Sequence, residues 1–143
     1  MINTDVPLWL IYALSKIGTK ELDPGSNPEI EEFLETVGYA SPNDDIPWCS
    51  ALVDWSFLKC GIRGTHSPEA RSWNSWGVKL YKPRLGCVTV YWRERPLSWK
   101  GHVGFYLYEI GNDIYTLGGN QLNMVNVTPY PKKQLLNYRW PKI

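Results

Sequence analysis

Only two histidines, His66 and His102, and only three cysteines, Cys49, Cys60 and Cys87, occur in the 143 residues. An odd cysteine count without paired or metal-ligand spacing fits neither a disulfide framework nor a zinc site, so three reduced thiols, no metal and no cofactor are expected. No run reaches the ~20 apolar residues that span a bilayer, because Asp5, Pro7, Ser15 and Lys16 interrupt the apolar stretch from Val6 to Ile17. Membrane insertion is therefore not expected. The chain opens without a charged segment, an apolar segment and a small-residue cleavage site, which points to synthesis and folding in the cytoplasm. A net charge of +1 with no Lys/Arg cluster gives no electrostatic footprint for a nucleic-acid partner. There is no repeat, linker or low-complexity segment. The length suits one domain over residues 1–143 with a single core, expected to be a monomer.

Aromatic side chains are abundant instead: eight Trp and nine Tyr. Most should pack in the core and its rim; Trp48, Trp73 and Trp92 are candidates for a groove wall that stacks on a glycan or peptide. Apolar residues at helical spacing predict a helix over Pro7 to Ile17 and another over Pro28 to Val37, the second with Glu29, Glu31, Glu32 and Glu35 mostly on a solvated face. A third helix runs from about Pro47 to Cys60, and a short fourth starts near Ser67-Pro68 and ends at Trp76-Gly77. From Gly86 the period becomes two. Strands are predicted over Cys87 to Trp92, His102 to Tyr108, Ile114 to Leu117 and Met124 to Val127, with Pro129 to Pro131 breaking the ladder. Leu135, Leu136, Tyr138 and Trp140 suggest one last short element. Helices first and antiparallel strands afterwards make an α+β domain.

The stretch that organises the chain is Asp44-Asp45-Ile46-Pro47-Trp48-Cys49-Ser50-Ala51-Leu52-Val53-Asp54-Trp55. Pro47 suits a helix entry, Asp44 and Asp45 are candidate caps, and Leu52, Val53, Trp55, Phe57 and Leu58 give an amphipathic helix that Gly61 stops. Cys49 then lies in the first turn, where the backbone dipoles favour thiolate over thiol. A lone cysteine is more often core filling. Downstream, however, Gly101-His102-Val103-Gly104 places a histidine on a strand, and Gly118-Gly119-Asn120-Gln121 ends the next strand with two side-chain amides. Cysteine, histidine and an orienting polar group are the parts of a thiol hydrolase.

A hairpin turn at Gly111-Asn112 connects the two strands. With a two-residue loop, Ile110 opposes Asp113 and His102 faces Gln121; with one more loop residue His102 faces Asn120. Either amide then shares a face with the imidazole, and Gly104 leaves room beside it. His66, in a polar loop, reads as structural, and Cys60 and Cys87 read as core. Glu21 stands alone at the end of a loop, with no orientation legible.

Pro47-Trp48-Cys49-Ser50-Ala51-Leu52-Val53, Ala70-Arg71-Ser72-Trp73, Gly86-Cys87-Val88-Thr89-Val90, Gly101-His102-Val103-Gly104-Phe105 and Leu117-Gly118-Gly119-Asn120-Gln121 together resemble the small phage-type peptidoglycan hydrolases related to the CHAP and NlpC/P60 cysteine peptidases. The resemblance covers nearly the whole chain. It implies a papain-like fold, with the cysteine helix packed on an antiparallel sheet, and cleavage of an amide in bacterial peptidoglycan. By motif it implies Cys49 as nucleophile, His102 as general base and Asn120 as the group that orients the imidazole. Many CHAP domains carry a glutamate two residues before that asparagine, where this chain has Gly118. Asn120 or Gln121 is then left as orienter or oxyanion donor.

The expected chemistry has a Cys49 thiolate paired with His102 imidazolium attack a peptide or lactyl-amide carbonyl. The context expected is a phage endolysin released to the wall at lysis, or a secreted antibacterial effector. The rival expectation is a non-catalytic wall-binding or virion module, in which Cys49 is buried and unreactive.

Overall fold

The structure, a computed structural model, describes residues 5–22, 25–38 and 47–142; the caps expected at Asp44 and Asp45 lie outside the described residues. Three helices come first: α1 (Leu8–Leu14), α2 (Pro28–Thr36) and α3 (Cys49–Leu58). Asn27 caps α2 by accepting the Glu29 N–H at 2.9 Å, with Pro28 at the first helical position. The expected fourth helix is a 3-10 turn over Ala70–Ser75. Six strands follow: β1 (Val78–Leu80), β2 (Val88–Trp92), β3 (Gly101–Ile110), β4 (Asp113–Gln121), β5 (Met124–Pro131) and β6 (Leu135–Trp140). They form one antiparallel sheet in the order β1-β6-β2-β3-β4-β5.

Every residue of α3 from Cys49 to Phe57 is buried, so the helix is enclosed on all sides rather than amphipathic. It lies between α1 and α2 on one side and the sheet on the other, where Val88, Val90, Val103, Phe105, Leu117 and Val125 share its core. Phe57 is the hub, with ring centroids 5.2 Å from Trp9, 5.7 Å from Trp73, 4.7 Å from Trp76 and 5.7 Å from Phe105. The polar side chains drawn into this core are satisfied. Ser50 donates to the Ser67 carbonyl and accepts from the Trp73 indole, while Ser56 donates to the Leu52 carbonyl.

Alternation turns Thr89, Tyr91, His102, Gly104, Thr116 and Gly118 to the sheet face away from α3. That face is curled. Tyr91 on β2 and Tyr130 on β5 lie three strands apart, about 14 Å in a flat sheet, yet their rings stack at 4.7 Å. Gly104 permits the curl, since a Cβ there would come within 2.5 Å of Thr116 Cγ2.

One expectation changes, and one open question is answered. The prolines at 129 and 131 do not end β5, because β5 is the edge strand of the sheet. The Lys132 N–H bonds inward to the Asn112 carbonyl at 2.8 Å, so alternation points positions 129 and 131 outward, where no N–H is required. At the other end of β5 the segment after α1 adds a further row of pairing: Gly18 N–H to Val125 O, Val125 N–H to Thr19 O and Glu21 N–H to Asn123 O, at 2.8–2.9 Å. That row fixes where Glu21 points. Phe57→Ala should lower the unfolding free energy by about 3–5 kcal/mol, measured by urea denaturation; a loss below about 1 kcal/mol would contradict its place at the centre of the core.

Candidate active site

Cys49 is the first residue of α3, and its position is set by the residue before it. Trp48 is fully buried, and its indole N–H donates to Glu21 Oε1 at 2.8 Å, the carboxylate that the β5 pairing brings there. The ring also packs on Phe33 of α2 at 6.1 Å and on Gly119 of β4, where a Cβ would come within 2.7 Å of it. With Trp48 wedged between helix and sheet, the Cys49 side chain is only 6% exposed. The backbone amides of Val103 on β3, of Ser50 and of Cys49 itself lie near enough to its sulfur to favour the thiolate. The thiol thus rests on the strand residue next to His102.

His102 is 1% exposed and held from two sides. Its ring stacks on Tyr130 at 4.7 Å, with Tyr91 beyond. Its Nε2 lies 2.9 Å from Gln121 Oε1. Gln121 cannot present its amide nitrogen instead, because Nε2 already donates to the carbonyl and Oδ1 of Asn126, both at 2.8 Å, and to the Thr116 carbonyl. The imidazole must therefore carry its proton on Nε2 and leave Nδ1 as an acceptor. Asn126 is itself fixed, donating to the Gln121 carbonyl and accepting from the Thr128 hydroxyl.

The orienting bond to His102 thus comes from Gln121 rather than Asn120, and the reason is a pair of bulges. The Gly111-Asn112 loop does pair Ile110 with Asp113, but a register shift between Tyr106 and Tyr108 moves the alignment by one residue. A second irregularity between Gly118 and Gln121, with Asn120 at φ 57°, then brings Gln121 onto the histidine. Gly118 is the space this requires, since a Cβ there would lie 2.5 Å from Gln121 Oε1 and 3.1 Å from His102 Nε2. A Glu at 118 would displace the amide. With its nitrogen committed to Asn126, Gln121 is not free to act as an oxyanion donor.

Burial decides the protonation state of the pair. Loss of solvent raises the Cys49 pKa above its ordinary value, although the amide donors and the charge of Arg93 oppose this. A helix N-terminus contributes about 0.3–1 kcal/mol, under one pKa unit, whereas full burial shifts a group by up to about 3–5 units. His102 is pushed down to about 3, first by burial and further by Arg93, against the Gln121 bond that raises it. The resting pair is therefore neutral thiol and neutral imidazole. The thiolate expected from the helix dipole alone is overridden.

A cleft of about 490 Å³ opens onto Cys49 and is lined also by Pro47, Pro68, Glu69, Arg93 and Trp99. Gly101, the residue before His102, also lines it. One wall is the loop from Arg93 to Lys100, which Arg71 fixes through three backbone carbonyls: Lys100 at 2.8 Å, Pro96 at 2.7 Å and Arg95 at 3.1 Å. This accounts for the arginine of Ala70-Arg71-Ser72-Trp73. The expected groove tryptophans lie elsewhere. Trp48 and Trp73 are fully buried, bonded to Glu21 and Ser50, and Trp92 donates to the Lys133 carbonyl. The tryptophan that faces the cleft is Trp99, 73% exposed. Arg93, Trp99, Tyr130 and Asn126 were not singled out from the sequence; the run of polar and aromatic residues before Gly101 was the available signal.

Cys87 is buried and Cys60 partly so, as expected of core thiols. His66 lies near Asp54 at the far side of α3, 4.0 Å from its carboxylate. Among the described residues no group of three or more His, Cys, Asp or Glu is placed to hold a metal ion, and no helix is long and apolar enough to cross a membrane.

No protein-family profile matches the sequence, and no curated protein matches it. Solved structures do match. One is an NLP/P60-family protein, described as similar to lipoprotein, from Staphylococcus aureus, with TM-score 0.57 and 16% identity over 99% of this chain and 46% of that one. This chain thus spans less than half of the staphylococcal protein. RipD from Mycobacterium tuberculosis, described as a non-catalytic NlpC/p60 domain protein adapted to peptidoglycan binding, gives TM-score 0.53 and 19% identity over 92% of each chain. The P60 domain of an antigen from M. avium subspecies paratuberculosis gives 0.57 and 16%, over 94% of this chain and 91% of that one. The chain has the NlpC/P60 fold.

The tautomer can be read directly. Nitrogen-15 shifts of the imidazole should report Nε2–H in the intact protein and in Asn120→Ala, and tautomer averaging in Gln121→Ala. Averaging caused by Asn120→Ala instead would transfer the orienting role back to Asn120.

Proposed function

We propose that this protein is a cysteine-dependent peptidoglycan hydrolase that cleaves an amide bond of the bacterial cell wall. The observation that carries the reading is the imidazole of His102, fixed by Gln121 and Asn126 in the tautomer whose free nitrogen can accept the proton of a thiol. A core histidine needs one satisfied bond; it does not need a chain of amides that dictates which nitrogen is bare.

The reaction starts from the neutral pair. As Cys49 sulfur attacks the carbonyl carbon, its proton passes to His102 Nδ1, and the Gln121 oxygen holds the opposite side of the ring while it is charged. The tetrahedral oxyanion is met by the Cys49 backbone N–H at the start of α3. Collapse breaks the C–N bond, and His102 gives its proton to the departing amine. A water then loses a proton to His102 and attacks the thioester, which releases the carboxylic acid and restores the thiol. Both muramoyl-L-alanine amidases and stem-peptide endopeptidases fit this scheme. A lytic role in the manner of a phage endolysin, with synthesis in the cytoplasm and action on the wall after release, is the context we favour; an antibacterial secreted effector would use the same chemistry.

One observation favours a second reading. Cys49 is 6% exposed and its pKa is raised by burial, as a retired nucleophile would be, and RipD is a non-catalytic protein with this fold. On that reading the cleft binds peptidoglycan without cutting it. Digestion of purified sacculi separates the two. The intact protein should release soluble fragments and Cys49→Ala should release at least 1,000-fold less, a scale typical of a lost nucleophile. New lactyl groups or new stem-peptide ends, identified by mass, name the bond. Equal binding of both proteins with no release from sacculi of several chemotypes would leave the binding module standing.

A further inference from the structure

We propose that Arg93 is the carboxylate-binding residue of the cleft, so that the protein selects peptides carrying a free carboxylate beside the amide presented to Cys49. This rests on the hydrolase reading of the same cleft and adds to it the chemistry of the neighbouring substrate group. Arg93 and Lys100 are the cations of the lining. Lys100 is already engaged, with its ammonium 2.8 Å from Glu94. Among the described residues no carboxylate pairs with Arg93. Its guanidinium lies beside the Tyr130 hydroxyl, and its charge reaches both Cys49 and His102. The cleft thus keeps next to the nucleophile a guanidinium that donates to the Tyr130 hydroxyl but has no carboxylate partner among the described residues, a fork of donors that suits a planar carboxylate.

The mounting of this arginine is rigid. Its N–H bonds to the Lys100 carbonyl at 3.2 Å and its own carbonyl accepts from Arg95 at 2.7 Å, so the loop closes on itself. Arg71 then fastens the loop from below, and Gly101 has no space for a side chain, since a Cβ would stand 2.7 Å from the Tyr91 carbonyl and 3.1 Å from Arg71 Cγ. Trp99 on the same loop offers an exposed ring for the apolar part of the peptide. A carboxylate on Arg93 would also neutralise a cation that disfavours the His102 imidazolium, coupling substrate recognition to the basicity of the histidine. An uncharged substrate would not supply that relief.

The test uses pairs of synthetic stem peptides that differ only in bearing a free carboxylate or a primary carboxamide beside the scissile amide. With the intact protein the carboxylate form should have a KM lower by about tenfold, a preference that shrinks as salt is raised. Arg93→Gln should bring the ratio of the two KM values near one, and Arg93→Lys should keep part of it. Binding of the same peptides to Cys49→Ala, followed by tryptophan fluorescence, is the second arm. A preference in that arm with no turnover by the intact protein would sink the hydrolase reading and leave the carboxylate site standing. A preference that survives Arg93→Gln, or an intact protein that treats both peptides alike, overturns the proposal.

Discussion

Everything at this site depends on how the start of α3 meets β3, where the amide of Val103 lies near the sulfur of Cys49. That contact puts the thiol against the residue that follows His102, and it does so inside the protein. Trp48, bonded to Glu21 and flattened against Gly119, excludes water behind it. The same packing that sets the thiol beside the neighbour of His102 also removes the solvent that would stabilise the charged forms of both side chains. Burial of the thiol and burial of the imidazole are thus two results of one constraint.

The sheet supplies the other half. Its curl carries Tyr130 from the edge strand onto the His102 ring, and the bulge before Gln121 adds a hydrogen-bonded series from Thr128 through Asn126 and Gln121 to the imidazole. A carboxylate in place of Gln121 would stabilise the imidazolium more strongly. An amide fixes the tautomer without committing the pair to charge separation before substrate arrives, which suits a dry site with Arg93 nearby.

Much of this was legible in the residues. Periodicity located α1, α2 and the start of the central hairpin, whereas α3, buried on all sides, was marked by Pro47 at its entry, its apolar run and Gly61 at its end. The turn at Gly111-Asn112 narrowed the partner of His102 to two amides. The choice between them depended on two bulges, and these arise from how the sheet curls rather than from local propensity. β1, only three residues long, left no periodic signal, and Pro129 and Pro131 read as a break until the strand's edge position was known. The burial of Trp48 and Trp73 was hidden for a similar reason: an indole suits a sugar-binding wall and a core equally well until its neighbours are placed. Most instructive is Cys49. Sequence placed it at the positive end of a helix, and burial there raises the thiol pKa against that end.

The most direct test of this account is the pH dependence of alkylation at Cys49, followed by mass spectrometry of its own peptide so that Cys60 and Cys87 do not contribute. A neutral thiol predicts a rate that is slow in mild acid and continues to climb past pH 9, the ordinary thiol value. A fast, level rate extending into mild acid would mean that the pair rests as thiolate and imidazolium, and the burial argument would be wrong.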